Sequence, residues 1–124
     1  MDEKRIALAK YRFSKASEEL SVSKLAFSSG KFSSSLSSSY YAIFHSVRTL
    51  LALEGIDSKK HSGVIHLFSQ KFINTKLLET SFSKILVEAF EIRIDSDYKD
   101  FYLASKEDAE QQLNNAKYFF KGYC

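Results

Sequence analysis

The 124-residue chain contains no proline, and its four glycines stand far apart, at Gly30, Gly55, Gly63 and Gly122. A β-sandwich or barrel turns about every eight to twelve residues, and its turns draw heavily on glycine and proline. A chain this poor in both is constrained to a few long helices. At this length there is room for one hydrophobic core and not for two. The expectation is a single domain over residues 1–124, all-α, an up-and-down bundle of four to five helices.

Apolar spacing divides the chain. Ala9, Phe13, Ala16, Leu20, Ser23 and Phe27 recur at alternating steps of four and three, which predicts a helix from about Glu3 to Ser28. Gly30 is placed to close it in a left-handed cap, and the short turn sends the next helix back antiparallel. That segment, Lys31 to Glu54, holds six serines between Ser33 and Ser39, a composition that alone reads as a flexible linker. Phe32, Leu36, Tyr40 and Ile43 carry the helical step through it, so a helix is predicted, with the small serines admitting a close neighbour. A third helix is expected from Ser62 or Gly63, with Val64, Ile65, Phe68 and Phe72 inward. After a turn at Asn74-Thr75-Lys76, a fourth runs from Leu78 to Ile94 with Phe82, Leu86, Ala89 and Arg93 on one stripe. Asp95 to Ala104 reads as a loop. Ser105-Lys106-Glu107-Asp108 resembles a capping box, with Asp in place of Glu, and opens a last helix with Ala109, Leu113, Ala116 and Phe120 inward.

The net charge of +3 is unevenly spread: residues 1–76 carry twelve Lys and Arg against six Asp and Glu, and residues 91–110 carry three against seven. Besides ordinary solvated helix faces, this fits a basic surface for phosphate-bearing partners or a head-to-tail contact between copies. The single cysteine, Cys124, excludes an intrachain disulfide and argues against a cysteine-based metal site. With no signal-peptide apolar segment and no apolar run of about 18 residues, the expectation is a cytoplasmic protein without a membrane span. His61 and His66 stand five apart, off the i, i+4 spacing of helical metal ligands, so neither metal nor cofactor is expected. Walker, dinucleotide and nucleophile-elbow motifs do not occur in the sequence.

Tyr41, Phe44, His45 and Arg48 fall at i, i+3, i+4 and i+7 of the second segment and share one face. Beside them, Tyr40, Ile43, Val47, Leu50 and Leu51 form a stripe that reads as core. The mixed face carries phenol, imidazole and guanidinium tips that need partners, and is the candidate functional face. Arg93 is the second signal. It ends an apolar stripe four residues after Ala89, where a cation must meet an anion or a carbonyl. Asp97, at i+4, is the nearest carboxylate of suitable spacing, and Tyr98 is beside it. Two readings stand: a structural Arg93–Asp97 latch, and an anion-binding arginine facing Tyr41 and His45 across the bundle. Lys59-Lys60-His61-Ser62-Gly63, just before a helix N-terminus, adds Lys60 and His61 as phosphate candidates, a solvated loop being the plain alternative.

Taken together, Ser38-Ser39-Tyr40-Tyr41-Ala42-Ile43-Phe44-His45, Lys60-His61-Ser62-Gly63-Val64 and Arg93-Ile94-Asp95-Ser96-Asp97-Tyr98 resemble the HEPN superfamily (higher eukaryotes and prokaryotes nucleotide-binding). The last helix, ending in Ala116-Lys117-Tyr118-Phe119, completes the likeness, which runs in order from about Lys10 to Tyr118 and is greatest to the small single-domain prokaryotic branch. The resemblance implies a helical bundle, commonly dimeric, often encoded with a nucleotidyltransferase as a toxin–antitoxin-like pair. Many members are metal-independent ribonucleases with an arginine, four to six residues, then a histidine. There the arginine orients phosphate and the histidine does general acid–base work. Arg93 matches the arginine; after four residues comes Tyr98, and no histidine follows Arg93 in this sequence.

The leading expectation is therefore a nucleotide- or RNA-phosphate-binding module that acts with a nucleotidyltransferase partner. In it Arg93 holds the anion, Asp97 orients Arg93, and Tyr41, Tyr98 and His45 stack and donate hydrogen bonds. The alternative is a ribonuclease in which His45 or His61 replaces the missing histidine beside Arg93. A homodimer is expected, with Arg93, Asp97 and Tyr98 at or beside its interface, because eleven Phe and seven Tyr exceed what a bundle of this size covers.

Overall fold

A computed structural model describes residues 2–98 and 103–121, the side chains of Asp97 and Tyr98 lying outside the description. Among the described residues five α-helices make the bundle: α1 (Glu3–Ser28), α2 (Phe32–Leu53), α3 (His61–Phe68), α4 (Thr80–Tyr98) and α5 (Lys106–Lys121). A π-helical turn, Ser69–Ile73, extends α3, and there is no strand among the described residues.

The two longest helices end by the same device. Gly30 and Gly55 take φ of 74° and 72°, left-handed values that cost a side-chain-bearing residue dearly. At the first, Lys31 N–H donates to Ala26 O at 2.8 Å and Gly30 N–H to Phe27 O at 3.0 Å. At the second, Ile56 N–H donates to Leu51 O and Gly55 N–H to Ala52 O, both at 3.0 Å. These paired bonds satisfy carbonyls that the helix leaves open. Asp2 caps α1 by accepting from Lys4 N–H at 2.9 Å, and Ser105 Oγ accepts from Asp108 N–H at 3.0 Å, the N-cap half of the capping box expected of α5.

Helix α2 is the axis of the bundle and touches each of the other four helices. Its serine-rich half is helical and is used inside the chain. Ser23 of α1 is fully buried against Ser35 and Ser39, its hydroxyl bonded to Ser35 Oγ at 3.0 Å, Ser39 Oγ at 2.7 Å and Ser35 O at 2.8 Å. Small side chains let the two backbones approach, and reciprocal hydroxyl bonds satisfy what that approach buries. Below this cluster Tyr40, Ile43, Val47 and Leu51 meet Val64, Phe68, Leu86, Leu113 and Phe119 in the core.

The inward stripes stand largely as their spacing implies, with three shifts. Phe119 is fully buried and Phe120 only partly, Phe13 stacking on Phe120 with centroids 4.7 Å apart. Arg12 and Ala26 join the buried side of α1, where Phe13 and Phe27 are half-buried. Helix α4 begins two residues later than expected and continues through Tyr98, so Asp95 to Tyr98 is helix rather than loop. Asp and Ser are weak helix formers, but no glycine or proline stops the backbone there, and each added residue gains a hydrogen bond without a new nucleus. The π-turn was unforeseen; it closes with Asn74 N–H to Ser69 O at 2.8 Å and seats Phe72 against Phe68, centroids 5.8 Å apart.

Candidate functional site

On α2, Tyr40, Phe44 and Arg48 lie at i, i+4 and i+8, one row along the helix, with Tyr41 and His45 in the row beside them. Two further elements converge on these rows. The start of α3 delivers His61, and α4 delivers Phe90 and Arg93. His61 stacks on Phe44 with centroids 4.3 Å apart and planes 13° apart, and its Nδ1 lies 2.6 Å from Tyr40 Oη. The Arg93 guanidinium carbon sits 4.8 Å from the Tyr41 ring centroid and 5.4 Å from that of Tyr40. At the other end of the row Arg48 lies 5.9 Å from the Phe44 centroid. The imidazole thus lies against an aromatic ladder with a guanidinium at each end, and such cation–π contacts also anchor the two arginines.

Titration follows from this geometry. Burial holds the His61 imidazole below its ordinary pKa, and the charges of Arg93 and Arg48 lower it further. Burial pushes the Tyr40 phenol well above its usual range, against the pull of Arg93, so it keeps its proton. Tyr40 is 1% exposed, and donating its proton to His61 Nδ1 satisfies both groups. With Tyr40 as donor the neutral imidazole carries its proton at Nε2; with Nδ1–H as donor the Nε2 lone pair is free instead. His45 is likewise lowered, by burial first and then by Arg48, Lys15, Arg12 and His61. Its Nδ1 is buried without a hydrogen-bond partner among the described residues.

A second charged group supports the ladder from behind. Arg12, 7% exposed, donates to Asp57 Oδ2 at 2.8 Å and to Arg48 O at 3.2 Å, while Arg48 donates to the same Oδ2 at 3.0 Å. One carboxylate therefore holds two guanidiniums. Burial works to raise the Asp57 pKa, but hydrogen bonds from Arg48, the Ser58 N–H and Arg12 bring it below the usual carboxylate value. Two arginines on one aspartate leave one positive charge in excess at this end of the ladder, while Lys15, Glu18 and Glu19 stand around the cleft beside Tyr41 and His45.

Of the residues singled out from the sequence, the structure brings together Tyr41, His45, His61 and Arg93. Lys60 is exposed immediately before α3, and His66 is exposed within it. The proposed roles of Asp97 and Tyr98 fall on side chains outside the described residues. Sequence reasoning placed Tyr40 in the apolar core, and its hydroxyl proves to be the partner of His61. The signal was available: a buried phenol requires a hydrogen-bond partner. Arg12 and Asp57 were passed over, although Arg12 stands three residues after Ala9 and four before Ala16, on the buried side of α1. Among the described residues no three His, Cys, Asp or Glu side chains are grouped to hold a metal ion, and no helix is long and apolar enough to cross a membrane.

A family model described as the HEPN domain matches residues 9–122. The chain belongs to the HEPN family. Among relatives of this HEPN chain is a Methanocaldococcus jannaschii protein named "Putative toxin MJ0605", 33% identical over 104 residues, which cover 84% of this chain and 77% of the relative. A second from the same organism, "Putative toxin MJ0142", is 33% identical over 105 residues, covering 85% and 71%. A Pyrococcus horikoshii protein, "UPF0332 protein PH1297", is 43% identical over 72 residues, 58% of this HEPN chain and about half, 51%, of the relative.

Proposed function

We propose that this HEPN chain has a toxin-like role in a two-component pair, binding a nucleotide or RNA phosphate at the ladder between Arg93 and Arg48 and acting with a nucleotidyltransferase partner. The toxin names of two relatives and the HEPN family itself support the role. The observation that carries the binding reading is the Tyr40–His61 hydrogen bond at 2.6 Å beside Arg93. With Tyr40 as its donor, that bond leaves Nε2–H as a further donor at a ladder that also carries the Arg93 and Arg48 guanidiniums, and all three groups favour phosphate oxygens. Tyr41, only partly buried, supplies ring surface for a base. Titration calorimetry with a nucleotide panel and short single-stranded RNA is expected to show binding by the wild type and at least tenfold weaker binding by Arg93→Ala. No binding by either form overturns this reading. An adjacent nucleotidyltransferase reading frame, or its co-purification with the chain, tests the partner.

A second reading is a metal-independent ribonuclease. The charges of Arg93 and Arg48 act directly on His61, and a histidine held neutral near pH 7 can take a proton from a ribose hydroxyl. For that work the Nε2 lone pair must be free, which requires Tyr40 to accept from Nδ1–H instead of donating. His61 is favoured over His45 by its contact with Tyr40. Metal-free RNA cleavage that survives both His61→Ala and His45→Ala removes this mechanism.

A further inference from the structure

Gly63 stands inside a helix, where its backbone does not require a glycine. Gly30 and Gly55 take left-handed φ values at helix ends, whereas Gly63 is the third residue of α3 and has no such φ. Alanine is the better helix former at such a position, so the missing side chain has another cause. That cause is Ser58. A Cβ built on Gly63 would overlap Ser58 Oγ and lie 2.9 Å from Ser58 Cβ. Turning the hydroxyl away relieves only the first overlap. Carbon atoms pack at about 3.5–4.0 Å, so the backbone at Ser58 would have to retreat by roughly 0.6 Å or more.

The contact closes a short strap between two parts of the candidate site. Asp57, at one end, holds Arg12 and Arg48 through Oδ2, and its Oδ1 accepts from Ser58 N–H at 2.8 Å. Ser58 Oγ accepts in turn from Lys60 N–H at 3.3 Å. His61, at the other end, stacks on Phe44 and meets Tyr40 Oη. The start of α3 supplies little hold of its own. Its N-cap residue, Lys60, makes no side-chain capping bond, and a helix of eight residues is marginal alone.

We infer that Ser58, seated on Gly63, positions His61: the pair sets how far the start of α3 stands from the Asp57 clamp, and so where the imidazole lies on the ladder. Ser58 and Gly63 are positioning residues that act through His61. The use of that imidazole in binding rests on the function proposed above, whereas its placement is read on the free protein.

The test is a set of substitutions read at His61 by ring nitrogen and proton NMR, with circular dichroism and urea unfolding as the check on the fold. Gly63→Ala is expected to shift the His61 ring signals and to bring its pKa up toward the ordinary value, as the ring moves off Phe44 and away from Arg48 and Arg93. Ser58→Val, which crowds the same contact from the other side, is expected to act alike. Ser58→Gly combined with Gly63→Ala removes both overlapping atoms and is expected to return the His61 signals to those of the wild type. A nucleotide or short RNA that binds the wild type is expected to bind Gly63→Ala at least fivefold more weakly, and the double variant as tightly as the wild type. Unshifted His61 signals in Gly63→Ala and Ser58→Val overturn the inference, and so does a shift that Ser58→Gly fails to reverse. If nothing in the nucleotide panel binds the wild type, the proposed function falls, while the His61 signals still decide the inference.

Discussion

Replacing Asp57 by asparagine removes the charge that two guanidiniums share while keeping the side chain's shape. Breaking one side of a fully buried ion pair costs about 3–5 kcal/mol, and an exposed pair under about 1. Here the Arg12 side chain is 9% exposed and that of Asp57 45%, so water screens one partner and not the other. Arg12 also keeps the Arg48 carbonyl at 3.2 Å. The loss for Asp57→Asn is set between those limits, at about 2 kcal/mol. For a chain of this size that lowers Tm by roughly 6–10 °C. Arg12→Met behaves differently, since it removes the buried charge, fills its volume with apolar surface and leaves Asp57 paired to Arg48. Its cost is expected below about 1 kcal/mol. The pH dependence has a definite sign. The folded-state pKa of Asp57 lies below its ordinary value, so the stabilisation is complete above that ordinary value and is lost as pH falls through the folded one. The gap between wild type and Asp57→Asn therefore persists at pH 5 and closes only in strong acid. Differential scanning fluorimetry and urea titration of wild type, both single variants and the double variant measure all of this. Equal losses in the two single variants, or a neutral Asp57→Asn, refute the reasoning.

Three more outcomes are expected. Ser23→Ala deletes the hydroxyl that joins Ser35 and Ser39 and is expected to cost about 1–2 kcal/mol in urea unfolding; Ser23→Val, which adds volume at a closed helix crossing, is expected to cost about 1–3 kcal/mol. Tyr40→Phe removes the 2.6 Å bond to His61 Nδ1 and is expected to cost about 1 kcal/mol, with a change in the His61 tautomer balance read from ring nitrogen shifts in NMR. His45 and His61 both have folded-state pKa values below the ordinary one, so the stability they contribute is complete above about pH 6.5 and declines as pH falls through the folded values. The fall in wild-type Tm between pH 7 and pH 5 is expected to shrink in the His45→Gln, His61→Gln double variant.

The helices were legible in the sequence because their instructions are local. A repeat of apolar residues within one or two turns, Gly30 and Gly55 at the positions that need a left-handed residue, and Ser105 three residues before Asp108 are each readable in a short window. The serine run was legible for the same reason, since Leu36, Tyr40 and Ile43 kept the period through it. The end of α4 was misjudged where local preference was weak and the continuing backbone decided. The HEPN family was equally within reach, and so were four members of the site: Tyr41, His45, His61 and Arg93. Their grouping was not. Tyr40 meets a histidine 21 residues away, and Arg12 meets Asp57 across 45. Period alone assigns a buried tyrosine or arginine to a face and says nothing of which atom lies opposite, because that depends on how closely α1, α3 and α4 pack on α2. The chain's own pattern determined which segments are helical and which sides are apolar. The tertiary structure decided which polar groups are buried together, and hence which histidine is held neutral between two arginines, because burial and the distance between charges exist only once the helices have packed.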